Sequence, residues 1–442
     1  MSSSTVSSIS SISSSVSLAP IASQLPSFAH GLLGLFAFIF IAWLFSENKK
    51  AVRVKPILIG VLIQIILAIA LSKISFFTDI FNWINKAVIC LEHATMQGTS
   101  FVFGYVGGAK TPFKVQDNTS TYSLAFQALP LVIVISAISS LLFYYRIMPF
   151  IIRHISWVVS HVLGLGGAIA IGVSANLFLG MAESPLVIRP YMKRITHSEL
   201  FTMMTCGMAG VAGTVMGLYV AILSPIMPHV MSHVIASVLI SLPAVVFISR
   251  IMVPETNVLT EGRELYVENR LSAIDALTKG VSIGAQVFIS IVAMLIVLVA
   301  IVSFIDKGLS LIPAIDGQVL SLSYLIGFLF QPIMWLVGIP WDQAHLAGNL
   351  MATRLVLNEL VSYQQLAVLK AGALDAKSQL ILVYAMCGFA NISGLGIMLS
   401  TYNVLMPKRR KEFMALGGKA LLAGTICTLM TGTIMGVLYP WL

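Results

Sequence analysis

Charged side chains are scarce in this sequence. Only 10% of its 442 residues are Asp, Glu, Lys or Arg, whereas 58% are hydrophobic, and a soluble domain is about a quarter charged. The mean hydropathy is +0.95, and no charged segment between the apolar runs is longer than a loop. This composition excludes a soluble enzyme, and it equally excludes one attached to a membrane by a single anchor.

Acidic residues and cysteines are also few. The 17 Asp and Glu are outnumbered by 26 Lys and Arg, which gives a net charge of +9. In a soluble protein this excess would favour nucleic acid as a partner. Here it predicts basic cytoplasmic loops and no nucleic acid, because Lys and Arg are retained on that face during membrane insertion. The 4 cysteines lack metal-ligand spacing, so they are predicted to be core residues rather than disulfides.

The N-terminal segment lacks both charge and a long apolar run. Met1–Ala19 is mostly serine with scattered Val and Ile, whereas a secretory signal has a basic start followed by an apolar stretch. We expect residues 1–26 to form a disordered tail and residues 27–442 to form a single transmembrane domain.

Long apolar runs are what the sequence has in abundance. About eight of them are long enough to cross ~30 Å of hydrocarbon as a helix. Helices are expected because the backbone must satisfy its own hydrogen bonds in lipid. The predicted fold class is therefore an all-α polytopic membrane protein. The predicted spans are Ala29–Phe45, Pro56–Ser72, Tyr122–Tyr145, Ser198–Pro225, Ser232–Met252, Val281–Ile305, Gln379–Met406 and Lys419–Tyr439.

Three further apolar stretches differ from simple crossings. Ile147–Gly167 mixes Arg and His with apolar residues, which is typical of an amphipathic interfacial helix. Ala168–Tyr191 and Tyr324–Tyr363 carry Pro, Gly, Asn and Glu in apolar surroundings. Irregular backbone survives at membrane depth only inside protein or against a cavity, so each of these two is predicted to be a re-entrant helical hairpin.

An internal repeat connects these hairpins with the spans that follow them. Residues 206–213 and 387–394 share Cys-Gly, an apolar residue, Ala, a β-branched aliphatic residue and a final Gly. A polar step precedes each, and before that step lies a predicted hairpin with one Glu, Glu183 in the first and Glu359 in the second. Glycine-interrupted helices in corresponding halves of a membrane protein are the best sequence indication of a transporter's central site. The repeat is expected to be inverted.

Glu183 and Glu359 are the charged side chains predicted to act in that site. An ionisable group at membrane depth is costly and persists only with a partner or a wet cavity. The two carboxylates can accept hydrogen bonds from a polar solute or carry a proton. The structural alternative is that they pair with Arg189 and Arg354, which lie nearby in sequence.

Asn176 and Asn391 are candidate polar ligands. Each lies close to glycines that can free backbone carbonyls, which suits a small-cation or a sugar-hydroxyl site. The alternative is a hydrogen bond between helices. The position of Asn391 within the repeat favours the site.

Two alternatives from other functional classes stay open. A membrane-embedded hydrolase would use Glu183 or Ser174, but the Gly after that Ser and a nearby His are missing, so the motif of a serine nucleophile is incomplete. A receptor that binds without transport is the other alternative, because binding residues alone do not demonstrate flux.

Several longer motifs resemble those of one known family. The motifs are Asn176-Leu177-Phe178-Leu179-Gly180-Met181-Ala182-Glu183-Ser184-Pro185-Leu186, Arg189-Pro190-Tyr191, Ser198-Glu199-Leu200, Gly338-Ile339-Pro340-Trp341, Asn358-Glu359-Leu360 and Cys387-Gly388-Phe389-Ala390-Asn391. With them the chain resembles a concentrative nucleoside transporter from about residue 30 to its C-terminus.

The resemblance implies a homotrimer of secondary active transporters, not an enzyme. Each protomer would combine a scaffold part, mainly residues 27–166 and 226–323, with a transport part, mainly residues 167–225 and 324–442. Members of the family import nucleosides across the plasma membrane, here expected to be a bacterial inner membrane. The expected partners are a nucleoside and the lipid bilayer, with Na+ or H+ as the coupling ion and no cofactor. The alternative within transport is a diverged carrier of a related ribosyl or modified-base compound.

The same resemblance assigns residues to two binding sites. The ribose side is matched by Glu359 and Asn391, with Phe389 at a nearby packing position and Ser393 as the one Ser that remains after Asn391. The nucleobase side is matched by Met181, Ala182, Glu183 and Val215. The sodium site is matched by the Asn176 side chain and the backbone of Leu179 and Val211.

Some positions depart from the family's pattern. Met181 and Ala182 stand where Gln and Thr are common. Losing those hydrogen-bonding groups predicts weaker discrimination between bases, or a preference for a larger base such as a purine. Gly210 replaces a Ser that helps to bind sodium, which weakens that site and makes proton coupling an alternative. Gly394 replaces a second Ser on the ribose side, and Asn349 replaces a Glu of the second hairpin.

Overall fold

A computed structural model describes residues 19–114, 122–262, 264–266, 271–311, 320–370 and 372–441. The described residues form helices and connecting turns, with no strand among them. The α-helices are α1 (Ala19–Leu44), α2 (Val54–Lys73), α3 (Ser75–Phe103), α4 (Leu131–Tyr144), α5 (Ile147–Leu163), α6 (Gly167–Leu179), α7 (Ser184–Val187), α8 (His197–Ala209), α9 (Gly213–Leu223), α10 (Val230–Met252), α11 (Ala273–Leu309), α12 (Leu322–Val337), α13 (Trp341–Val356), α14 (Glu359–Ala367), α15 (Ala376–Met386), α16 (Ile392–Leu405) and α17 (Arg410–Leu438).

The predicted spans correspond to helices. Within the described residues, 6 helical stretches of at least 18 residues are apolar enough to cross a bilayer, namely Val54–Lys73, Leu124–Tyr144, His197–Leu223, Val230–Met252, Ala273–Leu309 and Pro407–Trp441. The first predicted span is the shorter apolar helix Phe28–Leu44, and the seventh is divided between α15 and α16. The predicted all-α polytopic fold is confirmed.

The helices follow one another in an order that occurs twice. A spanning helix, a second helix, a hairpin, a broken helix and a further spanning helix appear as α4, α5, α6–α7, α8–α9 and α10, and again as α11, α12, α13–α14, α15–α16 and α17. The start of α8 and the end of α16 lie at the same end of the molecule, because Arg409, just after α16, donates to the carbonyl of Ile195, just before α8. The two broken helices therefore run in opposite directions, as an inverted repeat requires.

The first hairpin reverses direction over a few residues inside the protein. Gly180 ends α6 with φ +77°, a backbone conformation that favours glycine, and a Cβ there would lie 2.6 Å from the Cβ of Ala212. Pro185, in the first turn of α7, suits a helix start. In the second hairpin, Leu357 ends α13 and the Asn358 side chain caps α14 by accepting from the N–H of Val361.

The second helix of the first repeat is amphipathic, as the sequence predicts for Ile147–Gly167. On α5, Ile152 and Val159 are buried, whereas Phe150 and Trp157 are exposed. A helix with one apolar face packed on protein and exposed aromatic residues on the other suits the surface of the membrane domain.

The two basic loops, residues 49–55 and 408–411, lie at the same end of the molecule. Glu47, which precedes the first loop, pairs with Lys419 at 2.7 Å and with His197 at 3.3 Å. On the other side of His197, Glu412 pairs with it at 2.8 Å and with Arg409 at 2.6 Å. This end is called the basic end below, and the retention of positive charge on the cytoplasmic side predicts that it faces the cytoplasm.

The predicted N-terminal tail lies largely outside the described residues, which start at Ala19. Helix α1 also starts there, before the predicted end of the tail at residue 26.

Candidate functional site

A cavity of about 460 Å³ lies between the tips of the two hairpins, the gaps in the two broken helices and one side of α11. Small-molecule sites are roughly 300–1,000 Å³ in volume, so the cavity has room for a ligand. Every side chain that the resemblance assigns to the substrate lines it, although these residues come from both halves of the chain. They are Met181, Ala182, Glu183, Val215, Glu359, Phe389, Asn391 and Ser393.

Glu359 is held in place by two hydrogen-bond donors. Asn391 donates from Nδ2 to Oε2 at 2.9 Å, and the Tyr219 hydroxyl donates to Oε1 at 2.8 Å. Only 4% of Glu359 is exposed. Both carboxylate oxygens are therefore fixed, and each keeps lone pairs that can accept from a further donor such as a sugar hydroxyl.

Asn391 serves both the helix and the site. It is the N-cap of α16, and its Oδ1 accepts a 2.6 Å hydrogen bond from the N–H of Gly394. Asn is among the preferred N-cap residues because its side-chain oxygen satisfies a free N–H of the first turn. The amide is thus oriented with its nitrogen toward Glu359, which fixes the geometry of the predicted ribose side.

The structural alternative for the two carboxylates does not hold among the described residues. Arg354 is fully buried, but its Nη2 donates to the carbonyl of Gly388 at 3.2 Å and it forms no ion pair within 4 Å with Glu359. Arg189 is exposed, and it forms no such pair with Glu183 either. No described side chain bonds to the Glu183 carboxylate, which therefore faces the cavity without a protein partner.

The gaps of the two broken helices meet. Between α8 and α9 the backbone of Gly210 is extended, and its carbonyl accepts a 3.1 Å hydrogen bond from the N–H of Phe389. Phe389 lies in the corresponding gap between α15 and α16. A backbone carbonyl released from one helix is thus satisfied by an N–H released from the other, as buried polar groups require.

The residues predicted for a sodium site lie beside this junction. Asn176 donates from Nδ2 to the carbonyl of Cys206 at 3.0 Å, and its Oδ1 accepts from the Ser184 hydroxyl at 3.1 Å. Leu179 ends α6, and Val211 lies in the gap between α8 and α9. The oxygen atoms that could meet a cation here are the Asn176 amide oxygen and backbone carbonyls, which are hard ligands suited to small cations.

Gly210, which replaces the family's Ser, has no room for a side chain. A Cβ at this position would lie 2.4 Å from Nδ2 of Asn176 and 3.0 Å from the carbonyl oxygen of Cys206. The Asn176 amide therefore occupies the space that a serine hydroxyl would need.

Gly394 and Met181 depart from the family's pattern at adjoining places. A Cβ at Gly394 would lie 2.4 Å from the carbonyl oxygen of Phe389 and 3.3 Å from Cε of Met181. The Met181 methyl thus fills the volume beside Gly394, and the two departures form one apolar patch of the cavity wall. Asn349 lies elsewhere, because its Oδ1 packs against Gly327 between α12 and α13.

Some polar residues that line the cavity, or that bond to its lining, have no clear signal in the sequence. Tyr219 gives no local signal, because it is one aromatic residue in an apolar helix and its partner Glu359 is 140 positions away. Thr214 adjoins Val215 on α9, while Gln286 and Ser290 lie on α11, which was predicted only as a span. The spacing of Ser282, Gln286 and Ser290, four residues apart in an apolar run, is the signal that could have shown a polar stripe.

A second cavity, of about 310 Å³, continues from the first toward the basic end. The two share Leu179, Glu183, Leu186, Thr214 and Ile283 among their lining residues. The second is also lined by Ser136, Ser139, Ser140, Tyr144, Arg189 and Tyr266. Tyr266 belongs to the loop after α10, where its N–H donates to the carbonyl of Val187. This arrangement suits a polar path from the central cavity to the basic end.

Ser174, the nucleophile of the hydrolase alternative, is fully buried in α6. Its hydroxyl has no hydrogen-bond partner among the described residues, so no base is in place to activate it.

The chain matches three family models. Residues 33–106 match the N-terminus of Na+ dependent nucleoside transporters, residues 125–226 a nucleoside recognition (Gate) model, and residues 233–436 the C-terminus of Na+ dependent nucleoside transporters.

Full-length relatives and a solved structure agree with these models. The chain is 34% identical over 412 residues to YutK of Bacillus subtilis, described as an uncharacterized transporter, with 92% of this chain and 98% of that one covered. It is 29% identical over 411 residues to the nucleoside permease NupC of Helicobacter pylori, with 92% and 96% covered. The structure of CNTnw in an inward-facing substrate-bound state superposes with a TM-score of 0.86 at 30% identity, covering 94% of this chain and 98% of that one.

These matches extend over nearly the whole chain, and the helices described above cross a membrane several times. The protein is a multi-pass protein of the plasma membrane and not an enzyme. The chain belongs to the concentrative nucleoside transporter family.

Proposed function

We propose that this protein imports nucleosides by symport with a cation. The observation that carries the proposal is the Glu359 carboxylate, fixed by Asn391 and Tyr219 at the wall of the central cavity. A carboxylate and an amide can take a vicinal diol through several hydrogen bonds. A site built in this way rejects analogues that lack the hydroxyls, because its own polar groups would be left unpaired.

The ribose side of the substrate binds at Glu359, Asn391 and Ser393, and the base lies toward Met181 and Val215. This orientation is supported by the Glu359 carboxylate and the Asn391 amide, which bond to each other and can take a diol, and by the lack of hydrogen-bonding side-chain groups on Met181 and Val215. Met181 and Val215 make no side-chain hydrogen bonds and so discriminate poorly between base edges. We therefore expect several bases to be accepted. Competition of labelled uridine uptake by adenosine, inosine and cytidine tests this, and strict uridine selectivity would contradict it.

The moving part comprises mainly residues 167–225 and 324–442, and the scaffold mainly residues 27–166 and 226–323. This division is supported by hydrogen bonds that join the two halves of the moving part, from Tyr219 to Glu359 and from Phe389 to Gly210. Alternating access then requires one bundle to move against the other around the site. Three copies assemble as a homotrimer, which is the state that the resemblance to the family implies. The mass of the detergent-solubilised complex tests this.

The coupling ion is Na+ or H+. Sodium is favoured by the oxygen atoms around Asn176, Leu179 and Val211, and protons by the unpartnered Glu183 carboxylate in the cavity. The two are separated by uptake of labelled uridine and adenosine into proteoliposomes under an imposed sodium gradient or an imposed proton gradient. Accumulation under sodium alone assigns the cation site, and accumulation under protons alone assigns a carboxylate as carrier.

The same assay tests the function itself. Labelled nucleoside that binds but never accumulates under either gradient, and shows no counterflow, would identify a receptor and contradict symport. If neither uridine nor adenosine is bound or accumulated, the substrate is a related ribosyl or modified-base compound. Intact solute recovered after uptake confirms that no covalent chemistry accompanies transport.

A further inference from the structure

One wall of the central cavity carries a side-chain amide that the substrate assignment leaves unused. Helix α11 contributes Ile283, Gln286, Val287, Ser290, Ile291 and Met294 to the lining. These residues form one face of the helix, because positions three and four apart are neighbours on a helix surface. Among them only Gln286 offers both a hydrogen-bond donor and an acceptor on a planar group.

The hairpin tip opposite this wall cannot supply such a pair. Met181 and Ala182 have no hydrogen-bonding side-chain groups, and Val215 on α9 has none either. Burying the polar edge of a nucleobase without partners costs binding free energy. The base edge therefore needs partners elsewhere in the cavity.

Glu183 alone cannot meet this need. When ionised it accepts hydrogen bonds but donates none, so it can pair with the exocyclic amine of adenine but not with the neighbouring ring nitrogen, or with the ring N–H of hypoxanthine or uracil but not with the neighbouring carbonyl oxygen, because these acceptors need a donor. Apart from Asn358, which caps α14 beside Glu359, and the residues assigned to ribose, the side-chain donors in the lining are the Gln286 amide and the hydroxyls of Thr214 and Ser290.

We propose that Gln286 is a specificity-determining residue that binds the polar edge of the nucleobase. This inference rests on the proposed nucleoside import and names the group that reads the base. A Gln side chain pairs with adjacent donor and acceptor atoms, as it does with the amine and ring nitrogen of adenine. Rotation of the amide by half a turn presents the two atoms in the reverse order, so hypoxanthine and uracil edges are matched as well.

The consequence is selectivity for a base edge with adjacent polar atoms over one that lacks them. Adenosine carries an exocyclic amine beside a ring nitrogen, whereas purine riboside has the same ring system without the amine. Wild-type protein is expected to prefer adenosine, because the Gln286 oxygen is left unpaired by purine riboside.

The experiment compares uptake of these two nucleosides into proteoliposomes by wild-type protein and by Gln286→Leu. We expect Gln286→Leu to raise the KM for adenosine by about tenfold and that for purine riboside by less than about threefold, since one hydrogen bond of the pair is absent from the latter. Thr214→Val tests the competing donor in the same cavity. Ser303→Ala, on α11 but outside both cavities, is the matched control and should behave as wild type.

Each outcome decides the inference. An equal rise for both nucleosides, no rise in Gln286→Leu, or loss of adenosine preference in Thr214→Val alone would overturn it. The melting temperature of each variant in detergent excludes a folding defect as the cause of any rise. If wild-type protein accumulates neither nucleoside under any ion gradient, the proposed function fails and this inference fails with it. If wild-type protein accumulates both without preference, only this inference fails.

Discussion

Asn391 Nδ2 lies 2.9 Å from Glu359 Oε2, although the two residues are 32 positions apart in the chain. The contact joins the N-terminus of α14, in the second hairpin, to the N-cap of α16, beyond the gap of a broken helix. The carboxylate is therefore oriented before any substrate arrives, which lowers the cost of ordering the site on binding.

Glu359→Gln is expected to abolish nucleoside uptake. The substitution removes the charge and places an amide nitrogen against one of two donors, Asn391 Nδ2 or the Tyr219 hydroxyl. Hydrogen bonds to charged groups contribute about 1.5–3 kcal/mol each. We therefore predict that the KM rises more than tenfold or that no flux can be measured. Glu261→Gln, on an exposed loop, is the control, and wild-type uptake by Glu359→Gln would remove Glu359 from the site.

Tyr219→Phe should weaken binding while leaving some transport. The hydroxyl donates to Glu359 Oε1 at 2.8 Å. Its loss leaves one carboxylate oxygen without its partner, so the KM for uridine should rise about tenfold. Tyr363→Phe is the matched control, because its ring contacts that of Tyr219 while its hydroxyl donates to the carbonyl of Val383. That control should lower the melting temperature without changing the KM for uridine.

Gly210→Ser is expected to impair the protein, although it restores a residue common in the family. The new Cβ would lie 2.4 Å from Asn176 Nδ2, so the amide must move and lose its bond to Cys206. Overpacking of this kind typically costs about 1–3 kcal/mol. Melting temperature and uptake under whichever ion gradient drives the wild type should both fall, whereas Gly396→Ser, where no atom lies within 4 Å of the Cβ position, should change neither. Increased uptake in Gly210→Ser would contradict this prediction and would show that the Asn176 amide moves aside at little cost.

Glu199→Gln should destabilise the basic end. Glu199 is only 3% exposed, and its carboxylate accepts from the N–H of Thr196, the N–H of Thr260 and the Thr260 hydroxyl at 2.6–2.9 Å. An amide nitrogen in place of one oxygen would face a donor, at a cost of about 2 kcal/mol. Thermal unfolding in detergent measures this against wild type, and an unchanged midpoint would show that the loop after α10 contributes little to stability.

Much of this architecture follows from the sequence because membrane insertion constrains it strongly. The apolar runs predicted the spans, and the matched segments at residues 206–213 and 387–394 indicated where two helices break. The position of Glu183 and Glu359 in Pro- and Gly-containing segments predicted their place in hairpins, since a carboxylate in a simple crossing would face lipid.

The partners of these groups could not be predicted in the same way. Tyr219 and Glu359 meet only because α9 and α14 pack together, and nothing local in either helix indicates it. Arg354, which lies five positions before Glu359, was the obvious partner by proximity, yet it points to the Gly388 carbonyl instead. Gln286 was hidden within a span whose polar stripe becomes meaningful only beside a cavity.

The peptide hydrogen bond from Phe389 to Gly210 makes the two halves of the repeat thermodynamically dependent on each other. Gly210 adjoins Asn176, and Phe389 adjoins Asn391 through the N–H of Asn391 and the Phe389 carbonyl. Any ligand that shifts one helix gap therefore alters the geometry of the other. By reciprocity, the factor by which a cation bound beside Asn176 changes the affinity for the proposed substrate must equal the factor by which that substrate changes the affinity for the cation.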